Sequence, residues 1–178
     1  MSTLAIDTIQ GATTATSVDM SSVTGLQMPA GHVIQAVGLP NTGRGPHVTS
    51  TSTSFTHITK LDVSITPKFA TSKIYYNASL SVASGGSNNY GYWDLRRLNG
   101  GTETSFGDDS NYGVAKISYA GSWMQIPITF LDSPSTTNAL TYRVYHRNHT
   151  SGTVYTGWTS SNESKANGLY VTILEIAG

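Results

Sequence analysis

The chain has no cysteine, so neither a disulfide nor a thiolate metal site can hold it together, and its fold is independent of redox state. Charge is scarce. Only 11% of the 178 residues are charged, the formal net charge is zero, and the ten basic residues are spread from Arg44 to Lys165. Such a surface lacks the positive footprint of a nucleic-acid binder or of a protein drawn to an anionic membrane. No apolar run approaches the roughly 18 residues of a membrane span, and no signal-peptide pattern occurs, so neither membrane insertion nor export by that route is expected. Long helical periodicity is missing too. So are aromatic residues before Phe55.

What is present favours strands and turns. Roughly a quarter of the chain is Ser and Thr, with 18 Gly, a mixture that suits sheets and tight connections better than helices. Period-2 alternation is strongest from Lys73 to Ala83, where Ile74, Tyr76, Ala78, Leu80 and Val82 share one face and Tyr75, Asn77, Ser79 and Ser81 the other. Further strands are expected over Gly31 to Val37, Phe55 to Thr66, Tyr90 to Leu98, Trp123 to Leu131, Leu140 to His149 and Val154 to Trp158. Asn99-Gly100-Gly101 signals a hairpin, and residues 102 to 122 form the least regular part. About eight to ten short strands without crossover helices predict an all-β fold, an antiparallel two-sheet sandwich of jelly-roll type over residues 31–178.

Residues 1–30 differ in kind. Short apolar pulses (Leu4, Ile6, Ile9; Val18, Met20; Val23, Leu26, Met28) stand among Gly, Ala, Ser and Thr. They cannot bury enough surface to offset roughly 1 to 2 kcal/mol of backbone entropy per ordered residue. The segment is expected to be an extended arm that needs partners, either copies of itself or a larger assembly, or else a disordered tail. The final strand, Gly168 to Gly178, is apolar on both faces: Leu169, Val171 and Ile173 on one, Tyr170, Leu174 and Ile176 on the other. A strand of this kind either runs through a domain interior or has a second subunit against it. Tyr170, Leu174 and Ile176 are therefore the expected oligomer interface.

Signals for covalent chemistry are weak. No Gly-x-Ser-x-Gly occurs. His146 and His149 would point to opposite faces of a strand, which disfavours a metal pair, and no metal or cofactor is expected. Asp108 and Asp109 lie in a Gly- and Ser-rich loop, where the ordinary role of Asp is to accept turn hydrogen bonds rather than to cleave a glycoside. No catalytic residue is assigned. A binding or building module remains, and Tyr90, Asn111, Tyr112 and Trp158, near expected loops, are the candidates for receptor contact.

Several phrases resemble small fibre or fibre-tip proteins of tailed bacteriophages, those of marine and cyanobacterial hosts in particular. They are the opening Ser2-Thr3-Leu4-Ala5-Ile6-Asp7-Thr8-Ile9-Gln10, then Met28-Pro29-Ala30-Gly31-His32-Val33-Ile34-Gln35, Ser52-Thr53-Ser54-Phe55, Leu61-Asp62-Val63-Ser64-Ile65-Thr66-Pro67, Phe130-Leu131-Asp132-Ser133-Pro134 and the closing Ile173-Leu174-Glu175-Ile176-Ala177-Gly178. Residues 84 to 125 carry no such phrase. The resemblance implies a virion structural protein on the particle exterior, a homotrimeric tail fibre or fibre tip. Residues 1–30 would attach it to other virion proteins, and the C-terminal domain would face a host-surface glycan or protein. A capsid-decorating head fibre or cement protein is the alternative.

Overall fold

The computed structural model describes residues 29–39, 47–85, 90–108, 111–118, 123–150, 152–157 and 169–178. Most of the expected arm (residues 1–28) and Trp158 lie outside these residues. In chain order the strands are β1 (Val33–Gly38), β2 (Val48–Ser50), β3 (Thr56–His57), β4 (Val63–Ile65), β5 (Lys73–Gly85), β6 (Gly91–Asn99), β7 (Thr102–Ser105), β8 (Ala115–Ile117), β9 (Trp123–Asp132), β10 (Leu140–Asn148), β11 (Thr153–Thr156) and β12 (Tyr170–Ile176).

They form two antiparallel sheets, an all-β sandwich of jelly-roll type as expected. In the first, β5 is flanked by β9 on one side and by β12 and β11, end to end, on the other, with β1 beyond β12 and β2 beyond β11. In the second, β10 and β6 are central, β3 and β4 share the outer side of β10, and β7 and β8 share that of β6. Each sheet is thus four positions wide.

The core lies where the alternation puts it. Ile74, Tyr76, Ala78, Leu80 and Val82 of β5, Ile126 and Ile128 of β9, and Val171 and Ile173 of β12 are buried from one sheet. Trp93 and Leu95 of β6, Leu140, Tyr142 and Val144 of β10, and Val63 and Ile65 of β4 meet them from the other. Each such aliphatic side chain contributes about 1.5 to 3 kcal/mol by leaving water. Polar pins fix the sheets at both ends. At one, Asp132 accepts from Arg97 (2.7 Å to each carboxylate oxygen) and from the Tyr142 hydroxyl at 2.7 Å. At the other, Thr156 Oγ1 accepts from Trp93 Nε1 at 2.8 Å and lies 3.0 Å from His146 Nδ1.

The terminal strand holds a buried carboxylate. Glu175 accepts from Gln35 Nε2 (2.5 Å), the Lys68 amide (2.6 Å), the Ser72 hydroxyl (2.7 Å) and the Phe69 amide (3.4 Å). These donors replace the water that a buried charge loses, and they tie β1, β12 and the chain ahead of β5 to one end of the sandwich.

Two expectations need correction. Phe55 to Thr66 is not one strand: a 3-10 turn over Thr59–Leu61 separates β3 from β4 and tucks Ile58 and Leu61 into the core. Neither Gly nor Pro marks that break. Residues 102 to 122 contain two strands, β7 and β8, each too short to show alternation. On the outward face of β6, Tyr92 and Asp94 are buried, with the Arg147 guanidinium over the Tyr92 ring and Arg96 on the Asp94 carboxylate.

Candidate functional site

The outer face of the β10–β6 sheet is where side chains of mixed polarity gather, and register dictates how. Arg143, Tyr145 and Arg147 of β10 point outward opposite Arg96, Asp94 and Tyr92 of β6. Ser105 of β7 extends the Arg96 row and Lys116 of β8 the Tyr92 row, while Glu103 of β7 stands opposite Leu98.

The half of this face nearer the β6–β7 hairpin is electrically closed. Arg96 and Arg143 oppose each other directly, an unfavourable pairing in itself, and Glu103 from β7 bridges them at 3.3 Å to each. Arg96 also contacts buried Asp94 at 2.8 Å, and Ser105 donates to the same carboxylate. Asp62 lies 3.6 Å from Arg143 and 2.6 Å from His57. Burial works to raise the Glu103 pKa, but hydrogen bonds from Tyr145, Arg96 and Arg143 outweigh it and hold the carboxyl below its ordinary value. Burial and the bond to Glu103 push the Tyr145 phenol up to about 12.

The other half is built from rings and cations. Arg147 lies over Tyr92, 4.6 Å from the ring centroid, and over Phe55 at 5.4 Å. Lys116 lies over Tyr90 at 4.4 Å and within 5.8 Å of the Tyr92 centroid. Tyr112 packs on Tyr92 at 5.6 Å, and His149 meets Tyr90 edge-on at 5.1 Å and Tyr92 at 5.9 Å. Tyr92 is the hub: fully buried, it has Lys116 opposite on β8 and Arg147 opposite on β10.

The loop carrying Tyr112 is built by Asp108. Its carbonyl accepts from the amides of Asn111 (3.3 Å), Tyr112 (3.2 Å) and Gly113 (2.8 Å), and its carboxylate accepts from the Asn111 amide at 3.2 Å. This is the turn chemistry expected of that residue. Gly113 closes the loop at φ +62°, and a Cβ there would run into the Trp93 carbonyl oxygen. Tyr112 is thereby held outward, 56% exposed.

Of the residues singled out from sequence, Tyr90, Asn111 and Tyr112 come together here. Tyr90 joins through Lys116 and His149, the Tyr112 ring packs tilted against Tyr92, and the Asn111 carbonyl accepts from Arg147. Tyr92, Lys116, Arg147, His149 and Phe55 were not foreseen as members. The outward parity of Tyr92 was legible, but its neighbours on β8 and β10 are a matter of register. His146 and His149 do not pair: His146 is buried beside Thr156, and His149 sits among the outer rings. Among the described residues no group of three or more His, Cys, Asp or Glu is placed to hold a metal ion.

The interface residues expected on β12 lie on the outer face of the other sheet. Tyr170 is 59% exposed, Leu174 and Ile176 are half-buried, and Val171, Ile173 and Glu175 face inward. A transverse row, Leu131, Tyr75, Leu174 and Ala36, crosses four strands in register, and Leu131 is 51% exposed.

No protein family and no curated protein matches the sequence. Among solved structures the chain is similar to Eiger TNF from S. frugiperda, with 10% identity, a TM-score of 0.45, and coverage of 82% of this chain and 94% of that one. It is also similar to the infectious bursal disease virus VP2 subviral particle, with 9% identity, a TM-score of 0.44, and coverage of 82% of this chain and 38% of that one. The D431N mutant VP2 of the same virus gives 8% and 0.42, over 80% of this chain and 38% of that one. The chain thus spans under half the length of these VP2 chains. These are likenesses of shape and say nothing about activity.

Proposed function

We propose that this chain is a bacteriophage virion structural protein, a homotrimeric tail fibre or fibre tip that acts by binding and not by covalent chemistry. The observation that carries this reading is the placement of two surfaces relative to the entering chain. Val33 pairs with Ile176, which pairs with Lys73 at the start of β5. The aromatic and cationic cluster sits beside Gly91 and Asn148, at the end where β5 finishes. A 13-residue strand spans about 40 Å, so Val33, where the described chain enters the sheet, and the surface at Tyr90 and Tyr112 lie toward opposite ends. Near the end where β1 begins, the Leu131–Tyr75–Leu174–Ala36 row offers sister copies an apolar face. The ordered sequence phrases supply the rest: the virion setting, the threefold count and the outward orientation of the domain.

Light scattering of the full chain tests the assembly, with a trimer mass expected and a stable monomer at micromolar concentration counting against it. Antibody labelling of intact particles tests the location. Label at the tail tip agrees with the fibre reading, label over the head moves the chain to capsid decoration, and unlabelled particles defeat both.

A further inference from the structure

Charge pairing on the outer face of the β10–β6 sheet is uneven. Arg96, Arg143 and, at the inter-sheet pin, Arg97 each have a carboxylate within 4 Å. Lys116 and Arg147 have none among the described residues. Arg147 spends its guanidinium on the backbone carbonyls of Thr53 and Asn111 and on two ring faces. Lys116 lies over the rings of Tyr90 and Tyr92. In a chain of zero net charge, two cations opposite each other across one buried tyrosine, with no carboxylate paired to them among the described residues, are a local excess of positive charge, with His149 beside them.

Resting on the host-binding role proposed above, we infer that this cluster is a subsite for an acidic saccharide, a sugar ring bearing a carboxylate or sulfate. The exposed ring of Tyr112 offers a negative π-face to the polarised C–H side of a sugar, beside the Tyr90 ring that carries Lys116. The Lys116 ammonium has three donors and, among the described residues, no carboxylate paired to it, so an anionic substituent gives it a charge-assisted hydrogen bond. Arg147 adds positive potential, and because it is pinned to backbone the site is pre-organised. A neutral sugar engages the rings but leaves the ammonium with water. The acidic sugar is therefore the better partner, and its advantage fades as salt screens the cations.

The test titrates the full-length protein with a short oligogalacturonate, a sulfated galacto-oligosaccharide and the neutral galacto-oligosaccharide of equal length, at low and high salt. One or both acidic sugars are expected to bind about tenfold tighter than the neutral one, the equivalent of one charge-assisted contact of about 1.4 kcal/mol, and to weaken with salt. Lys116→Gln removes that preference without moving the unfolding midpoint, whereas Tyr112→Ala weakens all three sugars together. Equal binding of acidic and neutral sugars, no binding of any, or an unchanged preference in Lys116→Gln overturns the inference. Failure of the virion role looks different: acidic sugars still bind Lys116-dependently while antibody finds no protein on particles. Conversely, host-cell binding displaced by the neutral sugar alone keeps that role and removes the acidic subsite.

Discussion

The indole nitrogen of Trp93 lies 2.8 Å from the hydroxyl oxygen of Thr156, and this bond crosses from one sheet to the other beneath the aromatic cluster. An indole N–H only donates, so Thr156 Oγ1 accepts from it, and the same hydroxyl shares a second hydrogen bond with His146 Nδ1, 3.0 Å away, whose direction the imidazole tautomer sets. Replacing Thr156 by Val preserves shape but strands two buried polar groups. Thr156→Val is expected to lower unfolding free energy by about 1 to 3 kcal/mol, read from urea denaturation.

His146 makes the same pin sensitive to acid. Burial lowers its pKa from 6.5 to about 4, because the fold disfavours the charged ring. Between those values the unfolded chain takes up a proton that the native chain refuses. Stability therefore falls as pH drops below about 6.5 and levels off near 4, a loss of up to about 3 kcal/mol. Urea midpoints measured across that window should decline in the parent and decline less in His146→Gln.

Glu103 keeps Arg96 and Arg143 from facing each other bare. Glu103→Gln removes the bridging charge at a partly exposed site, and the expected cost is about 1 kcal/mol. Adding Arg143→Gln should recover part of it. A double-mutant cycle showing no coupling between the two positions contradicts this account.

Gly113 sets the position of Tyr112. A methyl group there meets the Trp93 carbonyl oxygen at a backbone angle that favours glycine, so Gly113→Ala is expected to lift the 108–113 loop and separate Tyr112 from Tyr92. Near-UV circular dichroism of the tyrosine band should weaken, and unfolding free energy should fall by about 1 to 3 kcal/mol.

Self-association should be lost where the apolar row is interrupted. Leu174→Glu and, independently, Leu131→Glu place a carboxylate on an outward face that the isolated domain tolerates, so each is expected to give a folded monomer by light scattering. Unchanged mass in both variants removes this face from the interface.

The sequence announced what is periodic. β5 and β10 each bury one face and so wrote their alternation plainly, down to Tyr76 and Tyr142 pointing inward. The terminal strand announced its two apolar faces for the same reason. Lateral pairing stayed hidden: that Lys116, Tyr92 and Arg147 stand in one row follows from register between strands far apart in sequence. The burial of Tyr92 and Asp94 stayed hidden with it, since a side chain that points outward is covered only by what lands beside it. Tyr90, Asn111 and Tyr112 could be picked out because they flank turns; the cations completing their site come from strands, where Lys and Arg ordinarily mean solvent.

The flanks of both sheets are made of fragments. β3 and β4, β7 and β8, and β1 and β2 divide their flanks into strands of two to six residues. β9, the only long flanking strand among those described, contains Pro127, which has no N–H to donate. Among the described residues such flanks offer no continuous seam along which another chain could zip edge to edge. A partner of the described residues must then be met through the flat sheet surfaces, where side-chain identity governs the match.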